Sequence, residues 1–542
     1  MNEVRTPCTG ARAAEGRALN STHNQTLGTT IMLQNWYCNF SNLSGEDDMI
    51  ETDYLVVGAG ASGMIFADEM LTHSDAQIVI VDRRFRPGGH WNDAYPFVRL
   101  HQPSTFYGAG SRELGSRRIE TSGPNEGLYQ QAGGAEISAY FEQLMHERLL
   151  PSGRVRFLPL HEYRGDWFAN HRIASLATGK VCDLRVKSKL VDTTFYRVST
   201  PMTHARSFDV GADVCVIPPN DLPNSLAPHR NYVVVGGGKT GMDVLAWLLE
   251  HGVAASSLTW IVPRDSWLIN RETVQPGDAG KVRMVEGLVH ALEAAAYASG
   301  LDDIYDRLER SGELLRVDTN VRPGMFHQAT ISPGELKMLR EVKNIIRARH
   351  VRRIDSRAVV FDYGEIPARS DAVYVDCTAR GICWGPTKPV FDGQRITLQI
   401  IRDGRISFSA AAIAYVEATF RDERRKNTLC APIPYEEHLI TWPKAVLAEL
   451  KNGDAWSREP AMRSWAGKHR LAGFTSGGPP SARLEKLRER IAFLRPRAVA
   501  NLEEMIAAHE SSVQCSGAID QYSPVALAAA GARFHHHAHV PN

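Results

Sequence analysis

The stretch that decides the fold is YLVVGAGASG, residues 54–63. Its apolar first four residues predict a buried strand, and the apolar residues that follow at helical spacing, from Met64 to Leu71, predict a helix. A glycine-rich turn between a strand and a helix is typical of a nucleotide-binding βαβ unit, in which the helix N-terminus receives a pyrophosphate. We therefore expect a first nucleotide site at Gly58, Gly60, Ser62 and Gly63.

A second glycine turn, GGGKTG at residues 236–241, follows the apolar run 232–235 in the same way. Its GKT suggests a P-loop, but a P-loop needs a glycine where Val233 stands inside the predicted strand, so that interpretation fails. Two turns in this context predict two nucleotide-binding units and two cofactors. The residues expected to bind the second nucleotide are Gly236, Gly238, Lys239, Thr240 and Gly241.

The residues at the ends of the next two strands indicate which nucleotide each turn binds. Asp82 ends the strand after the first turn, with Arg83 beside it. A carboxylate there accepts hydrogen bonds from a ribose diol and repels a 2′-phosphate, so we expect FAD or NAD. Arg264 follows the strand after the second turn and can pair with the 2′-phosphate of NADPH, with Lys239 and Arg271 as substitutes. The adjacent Asp265 keeps NADH open as an alternative.

Length and composition limit the class of protein. At 542 residues the chain predicts two or more domains, and a net charge of +1 favours neither nucleic acid nor an anionic membrane as partner. Its apolar runs have the length of strands, and the N-terminal residues lack the apolar core of a signal peptide, so we expect no membrane span and a cytoplasmic protein. The eight cysteines form no C-x-x-C pair, so neither a metal site nor a redox dithiol is predicted. Nothing in the sequence indicates a particular oligomeric state.

The order of the predicted elements indicates an α/β fold of two Rossmann-like domains, the second inserted in the first, followed by a helical C-terminal region. The last strands, at 359–363 and 372–376, are expected to return to the first domain. The expected segments are a disordered extension at 1–50, an FAD-binding domain at 51–218, an NAD(P)-binding domain with a helical insertion at 219–355, the return at 356–400, the helical region at 401–510 and a flexible tail at 511–542.

With both turns identified, the chain resembles the two-dinucleotide-binding flavoproteins, and among them the class B flavin-dependent monooxygenases, which include flavin-containing and Baeyer–Villiger monooxygenases. The resemblance is carried by the two turns, by Asp82 and Arg264, and by the run PGGHW at residues 87–91. In that family this run lies along the FAD. The resemblance therefore implies FAD contacts from Gly89, His90 and Trp91, with Arg99, His101 and Gln102 as weaker candidates.

The same resemblance implies an enzyme that binds FAD and NADPH and uses molecular oxygen, through a C4a-hydroperoxyflavin, on a small organic molecule. A flavin reductase or oxidase without oxygen insertion, and a nucleotide-binding protein without turnover, stay as alternatives. No catalytic side chain is predicted, because the cofactor supplies the chemistry. The substrate pocket is expected from three segments that match the family poorly, at residues 109–136, 267–333 and 391–416.

Overall fold

The computed structural model describes residues 49–227, 230–436, 438–473 and 482–515. By its internal contacts, the chain from Glu51 onward forms one unit. The extension predicted at 1–50 lies outside the described residues except for its last two. The tail predicted at 511–542 also lies outside them except for residues 511–515, which continue a helix.

Strands within the described residues are numbered β1 to β22 in chain order. They are β1 (Ile50–Val57), β2 (Ile78–Asp82), β3 (Val155–Pro159), β4 (His161–Tyr163), β5 (His171–Ser175), β6 (Val181–Asp192), β7 (Arg197–Ser199), β8 (Asp209–Val210), β9 (Val216–Ile217), β10 (Asn231–Val235), β11 (Leu258–Ile261), β12 (Ser266–Asn270), β13 (Leu314–Leu315), β14 (Met325–Ile331), β15 (Asn344–Ile346), β16 (Val351–Ile354), β17 (Ala358–Phe361), β18 (Glu365–Pro367), β19 (Ala372–Asp376), β20 (Gly381–Cys383), β21 (Phe391–Asp392) and β22 (Arg395–Thr397).

The α-helices of the same residues are numbered in chain order. They are α1 (Ala61–His73), α2 (Gly134–Leu144), α3 (Leu222–Ser225), α4 (Lys239–Glu250), α5 (Gly277–Tyr297), α6 (Leu301–Arg310), α7 (Pro333–Leu339), α8 (Ile406–Thr419), α9 (Glu423–Leu429), α10 (Thr441–Arg458), α11 (Pro460–Lys468) and α12 (Ala482–Cys515). Short 3-10 turns lie at Gly89–Asp93, Ser104–Phe106, Leu150–Ser152, Pro219–Asp221, Ala255–Ser257, Arg271–Thr273 and Arg470–Ala472, and a π turn at Met145–Leu149.

The first sheet has the strand order β21-β22-β6-β1-β2-β3. β1 pairs in parallel with β2, from Tyr54 opposite Ile78 to Val57 opposite Val81, and β2 pairs in parallel with β3. All five residues of β2 are buried, as expected for a central strand of a parallel sheet covered on both faces. On this sheet α1 packs against α8 around a core that includes Phe66 and Phe408. The carboxyl ends of β1 and β2 therefore meet at one edge, where the first glycine turn lies.

The second sheet has the order β15-β11-β10-β19-β9, and each pairing in it is parallel. Its strands fall between β6 and β22 of the first sheet in the chain, so the second Rossmann-like unit is inserted in the first. The second glycine turn follows β10, the central strand. The predicted fold class, two Rossmann-like units with a helical C-terminal region, is confirmed.

The expected return of the chain to the first sheet is wrong in position. β19 pairs with β10 along its whole length, and β17 pairs with β16 and β18, so the strands predicted at 359–363 and 372–376 belong to the inserted part. The return is made by β22, which pairs with β6. The chain also enters the second sheet early, at β9 before residue 218. An apolar run predicts a strand, but it carries no information about the strand that becomes its partner.

Four helices pack together on the inserted part. Long helix α12 packs along α5, and α6 and α10 complete a shared core that includes Trp267 and Tyr305, whose rings stack at 5.6 Å. Two smaller sheets, β13-β12-β14 and β18-β17-β16-β8, are formed by strands that, apart from β8, fall between strands of the second sheet in the chain. Among the described helices none is long and apolar enough to span a bilayer.

Candidate functional site

The turn after β1 has the geometry that a nucleotide-binding unit requires. Gly58 has a φ of +112°, where glycine is favoured, and a Cβ on it would overlap the Thr193 hydroxyl. A Cβ on Gly63 would overlap the Gly58 carbonyl oxygen, so only glycine lets α1 approach the strand this closely. Gly60 is the N-cap of α1, and among the described residues no side chain caps this helix. Half-buried Ser62 lies in its first turn.

Asp82, at the end of β2, reaches back to this turn. Its Oδ2 accepts the backbone N–H of Ala59 at 2.7 Å, and its Oδ1 accepts that of Arg84 at 2.7 Å. Burial raises the pKa of the Asp82 carboxyl, and these two backbone N–H groups oppose the increase. Asp82 therefore braces the turn beside which a ribose is expected. Exposed Arg83 lies 3.6 Å from Glu162 in an ion pair.

The Gly88-Gly89 pair packs directly on the first turn. The Gly88 N–H donates to the Ala59 carbonyl oxygen at 2.8 Å. A Cβ on Gly89 would lie 2.9 Å from the Gly60 Cα, and a Cβ on Gly60 would lie 3.6 Å from the Gly89 Cα. Because two glycine backbones approach this closely, the segment after β2 and the turn after β1 form one continuous surface of backbone.

His90 and Trp91 extend this surface toward the loop at 104–107. The indole N–H of Trp91 donates to the Tyr107 hydroxyl oxygen at 2.9 Å, which fixes the ring. Burial, with a smaller contribution from the positive charge of Arg84, lowers the pKa of His90 to about 4. The His90 imidazole is therefore neutral at pH 7 and adds no charge next to the turn.

The second turn repeats the geometry of the first. Gly236 has a φ of +129°, and a Cβ on it would lie 2.5 Å from the Cys377 carbonyl oxygen. A Cβ on Gly241 would overlap the Gly236 carbonyl oxygen, just as a Cβ on Gly63 would overlap the Gly58 carbonyl oxygen. Gly238 is the N-cap of α4 with φ −82° and ψ −178°, close to the −77° and −178° of Gly60. Among the described atoms none lies within 4 Å of a Cβ built on Gly238.

Lys239 and half-buried Thr240 begin the helix after this turn. The Lys239 ammonium pairs with the Asp243 carboxylate one helical turn later. Asp243 also accepts the Tyr95 hydroxyl at 2.6 Å, and desolvation with the charge of Asp243 raises the pKa of Tyr95 well above its usual value. Lys239 is therefore held at the turn by a carboxylate that also binds the first unit.

Arg264 lies where the sequence predicts it, just beyond the end of β11. A Cβ on Gly237 would lie 3.2 Å from the Arg264 carbonyl oxygen, so this residue packs against the second turn. The neighbouring Asp265 is paired with Arg347: Nε lies 2.9 Å from Oδ2 and Nη2 lies 3.1 Å from Oδ1. Arg347 follows β15 and was not predicted as a site residue. The carboxylate that favoured NADH in the sequence is thus engaged in a bidentate ion pair.

Arg271, the substitute phosphate ligand, has a different role. Its side chain is fully buried, and its guanidinium donates to the His101 carbonyl oxygen at 3.0 Å and to the Thr330 carbonyl oxygen at 3.1 Å. It also lies 2.8 Å from the Glu335 carboxylate, whose pKa is lowered to about 2 by Lys239 and Arg271 against the opposing effect of desolvation. Because these partners occupy its guanidinium, Arg271 holds the two units together and is not placed to bind the nucleotide.

The segment that carries His101 and Gln102 joins the two units. Phe97 stacks on Trp247 of α4 with ring centroids 4.9 Å apart. His101 is accessible to solvent, yet desolvation by the surrounding protein and the charges of Lys239 and Arg271 lower its pKa to about 3. Gln102 beside it is half-buried. His101 therefore lies, neutral at pH 7, between the first unit and the N-terminus of α4.

Of the three segments expected to build a substrate pocket, 267–333 contacts both of the others. The Tyr129 N–H of the first segment donates to the Gln275 side-chain oxygen at 2.9 Å, and a second contact reaches the third segment. Gln328, with a φ of +57°, donates to Asp403, which also accepts the Tyr435 hydroxyl at 2.7 Å. The Arg405 guanidinium lies 4.1 Å from the centroid of the Phe106 ring. These residues were missed in the sequence, although Asp403 and Arg405 lie between β22 and α8, at the strand-to-helix turn where α/β folds place ligands.

The two turns fit two dinucleotides. At each turn, a side chain on the second glycine would fill the space that a pyrophosphate needs. The helix that follows each turn has no side-chain cap among the described residues. Amides at such helix starts attract phosphate through their partial positive charge.

Comparison with known proteins agrees with this geometry. A family model described as NAD(P)-binding Rossmann-like domain matches residues 56–109, which contain the first turn, Asp82 and the 87–91 run. A ferredoxin–NADP reductase of Nocardioides sp. is 24% identical over 241 residues, 44% of this chain and 63% of the reductase. The Uncharacterized protein Rv2000 of Mycobacterium tuberculosis is 43% identical over 463 residues, 85% of this chain and 85% of that protein.

Among solved structures, a flavin-containing monooxygenase from Stenotrophomonas maltophilia is similar with a TM-score of 0.41 and 16% identity, covering 71% of this chain and 100% of that one. A polycyclic ketone monooxygenase from Thermothelomyces thermophila has a TM-score of 0.44 and 10% identity, covering 89% of this chain and 91% of that one. At 43% identity over most of both proteins, the chain belongs to the same family as Rv2000 of Mycobacterium tuberculosis.

Proposed function

We propose that the protein is an FAD-dependent oxidoreductase that uses NADPH and that, as a monooxygenase, it transfers oxygen to a small organic molecule. The observation that carries this proposal is one turn geometry repeated on two separate sheets, each time after a strand with a parallel neighbour, with Asp82 beside the first turn and Arg264 beside the second. A hydride donor and a hydride acceptor that are both dinucleotides need two such turns. When bound, FAD supplies the hydride acceptance and the reaction with oxygen.

The first turn is assigned to FAD for two reasons. Asp82 would oppose the 2′-phosphate of NADPH at this turn, and the Gly60–Gly89 contact extends the backbone surface that a second phosphate and a flavin need beyond the adenosine. The family model that matches this turn is described as NAD(P)-binding. Identifying the nucleotide bound at the first turn is therefore a direct test of its assignment to FAD.

The side chains around the two turns have supporting roles. The Tyr95–Asp243 hydrogen bond and the Phe97–Trp247 stack hold the two units in one arrangement, so that two bound nucleotides keep a fixed separation. His90, neutral at pH 7, leaves the charge at the first turn to the phosphates themselves. Trp91, fixed by Tyr107, adds an apolar wall that excludes water.

The experiment identifies the nucleotides directly. Purified protein is denatured, and the released nucleotide is identified by chromatography and quantified against protein. The proposal expects FAD near one per chain, and NADP⁺ that binds to the FAD-loaded protein more tightly than NAD⁺. NAD or NADP released in place of FAD would contradict the assignment of the first turn.

The alternative is a reductase or oxidase that inserts no oxygen, and the similarity to a ferredoxin–NADP reductase favours testing it. The two functions differ in the fate of oxygen. With isotopically labelled oxygen, NADPH and a panel of ketones, amines and sulfides, a monooxygenase places label in an organic product. NADPH consumption with label only in peroxide or water, across the panel, would support the oxidase.

A further inference from the structure

An ion pair lies beside Arg264, and its role in binding NADPH rests on the proposed function. Asp265 is the residue directly after Arg264, and its side chain is only 12% exposed. Both of its carboxylate oxygens are held by Arg347, at 2.9 and 3.1 Å. Arg347 also lies 3.2 Å from a carboxylate oxygen of Asp318. One arginine thus pairs with two acids next to the expected position of the adenosine.

Sheet register explains why Arg347 reaches this position. β15 pairs in parallel with β11, with Ile346 opposite Ile261, and the Val262 N–H donates to the Ile346 carbonyl oxygen at 2.9 Å. Residue 347 therefore leaves β15 beside the segment in which β11 continues to Arg264 and Asp265. Both segments emerge at the carboxyl edge of the sheet, where the glycine turn lies and where α/β folds bind ligands.

Charge decides what this edge can bind. A carboxylate at the end of the second strand, when its oxygens are available, accepts a ribose diol and repels a 2′-phosphate, which selects NADH. Arg347 holds both oxygens of Asp265 and opposes its negative charge. Asp265 is therefore poorly placed to accept a ribose diol or to repel a 2′-phosphate. With both of its oxygens held by Arg347, the Asp265 carboxylate opposes a 2′-phosphate beside Arg264 less than an unpaired carboxylate would.

We propose that Arg347 is a positioning residue for cofactor specificity: by holding Asp265, and with it Asp318, it makes the second site select NADPH over NADH. Arg347 itself need not touch the nucleotide. Without it, two carboxylates and one arginine would surround a phosphate group of charge near −2, and the preference would move toward NADH.

The test compares nucleotide affinity in four forms of the FAD-loaded protein: wild type, Arg347→Met, Asp265→Asn and the double variant. Titration calorimetry with NADP⁺ and with NAD⁺ gives the preference as a ratio of dissociation constants. Arg347→Met should lower the preference for NADP⁺ by about tenfold, because an uncompensated charge at this partly exposed edge is moderately screened. The double variant should recover most of that loss, because the repelling carboxylate next to Arg264 is gone.

Two further readouts separate this role from a structural one. The loss in Arg347→Met should shrink in high salt, where exposed charges are screened. Arg352→Met is the matched control, since Arg352 also pairs with an aspartate, Asp362 at 2.5 Å, directly after β17. It should leave the preference unchanged.

An unchanged preference in Arg347→Met, or an equal loss of both nucleotides that Asp265→Asn does not rescue, would overturn the inference while leaving NADPH use intact. Wild-type protein that binds neither nucleotide, or prefers NAD⁺, would instead overturn the proposed cofactor and the inference with it.

Discussion

The substitution Gly238→Ala should abolish nucleotide binding at the second turn while leaving the protein folded. In the structure a Cβ at this position has no described atom within 4 Å, and the φ of −82° suits any residue. The free protein should therefore accept a methyl group here. A bound pyrophosphate should not, because this is the glycine whose backbone it must approach.

The size of each effect follows from the position. For folding, alanine restricts the unfolded chain, a gain of roughly 0.4–1 kcal/mol. Alanine is also a poorer N-cap than glycine, a loss of about 0.5–1 kcal/mol. The two nearly cancel. For binding, losing two charge-assisted hydrogen bonds to phosphate costs roughly 3–6 kcal/mol, which raises the NADP⁺ dissociation constant by more than about a hundredfold.

The assay pairs thermal unfolding with NADP⁺ titration. Gly300→Ala is the matched control, because Gly300 is also the N-cap of a helix, α6, with extended backbone and no described atom within 4 Å of its Cβ. Both variants should melt near the wild type. Only Gly238→Ala should lose NADP⁺ binding and its stabilisation by NADP⁺. Gly238→Ala protein with a dissociation constant within about threefold of the wild type would refute this account of the turn, since the expected loss is far larger.

Three other outcomes are expected. Asp82→Asn should raise the FAD dissociation constant at least tenfold, because a carboxylate acceptor is worth roughly 1.5–3 kcal/mol, and should leave NADP⁺ binding unchanged; equal FAD retention would argue against the ribose role. Arg264→Ala should raise KM for NADPH relative to NADH by roughly thirty- to a hundredfold if the contact is partly desolvated, and steady-state kinetics with both nucleotides would show equal losses if Arg264 only supports the fold. The folded-state pKa of His90 is about 4, below its ordinary 6.5, so between these pH values the unfolded state binds more protons than the folded state. His90 should therefore lower the free energy of unfolding as pH falls from 6.5 to 4, by no more than about 3 kcal/mol. Urea unfolding at pH 7 and pH 4.5 should show a smaller acid loss for His90→Gln than for the wild type, and an identical loss would contradict the lowered pKa.

The turns were predictable because their requirements are local. Positions 58 and 236 need a positive φ, and positions 63 and 241 have no room for a Cβ. Each requirement is therefore visible in the sequence as a glycine at a fixed spacing after an apolar strand. Asp82 was predictable for the same reason, since it ends the next strand. The sequence did not indicate that its carboxylate also braces the turn through Ala59.

Contacts between distant segments were not predictable. The strand at 372–376 reads as apolar in either sheet, and only pairing along all of β10 places it in the second. Arg271 was predicted only as a substitute phosphate ligand and Arg347 was not predicted as a site residue, yet one is fully buried between the units and the other holds Asp265 from 82 residues away. Burial and ion pairing of this kind depend on the tertiary fold, which a single sequence does not state.

The central claim is that the two turns bind two different nucleotides that exchange a hydride. Anaerobic mixing of FAD-loaded protein with NADPH tests it most directly, with wild type and Gly238→Ala side by side. We expect NADPH to bleach the flavin absorbance of the wild type, and Gly238→Ala to keep its FAD, to be reduced by dithionite and to stay oxidised with NADPH. Wild-type flavin that NADPH leaves oxidised, or a Gly238→Ala variant reduced as fast as the wild type, would contradict the claim.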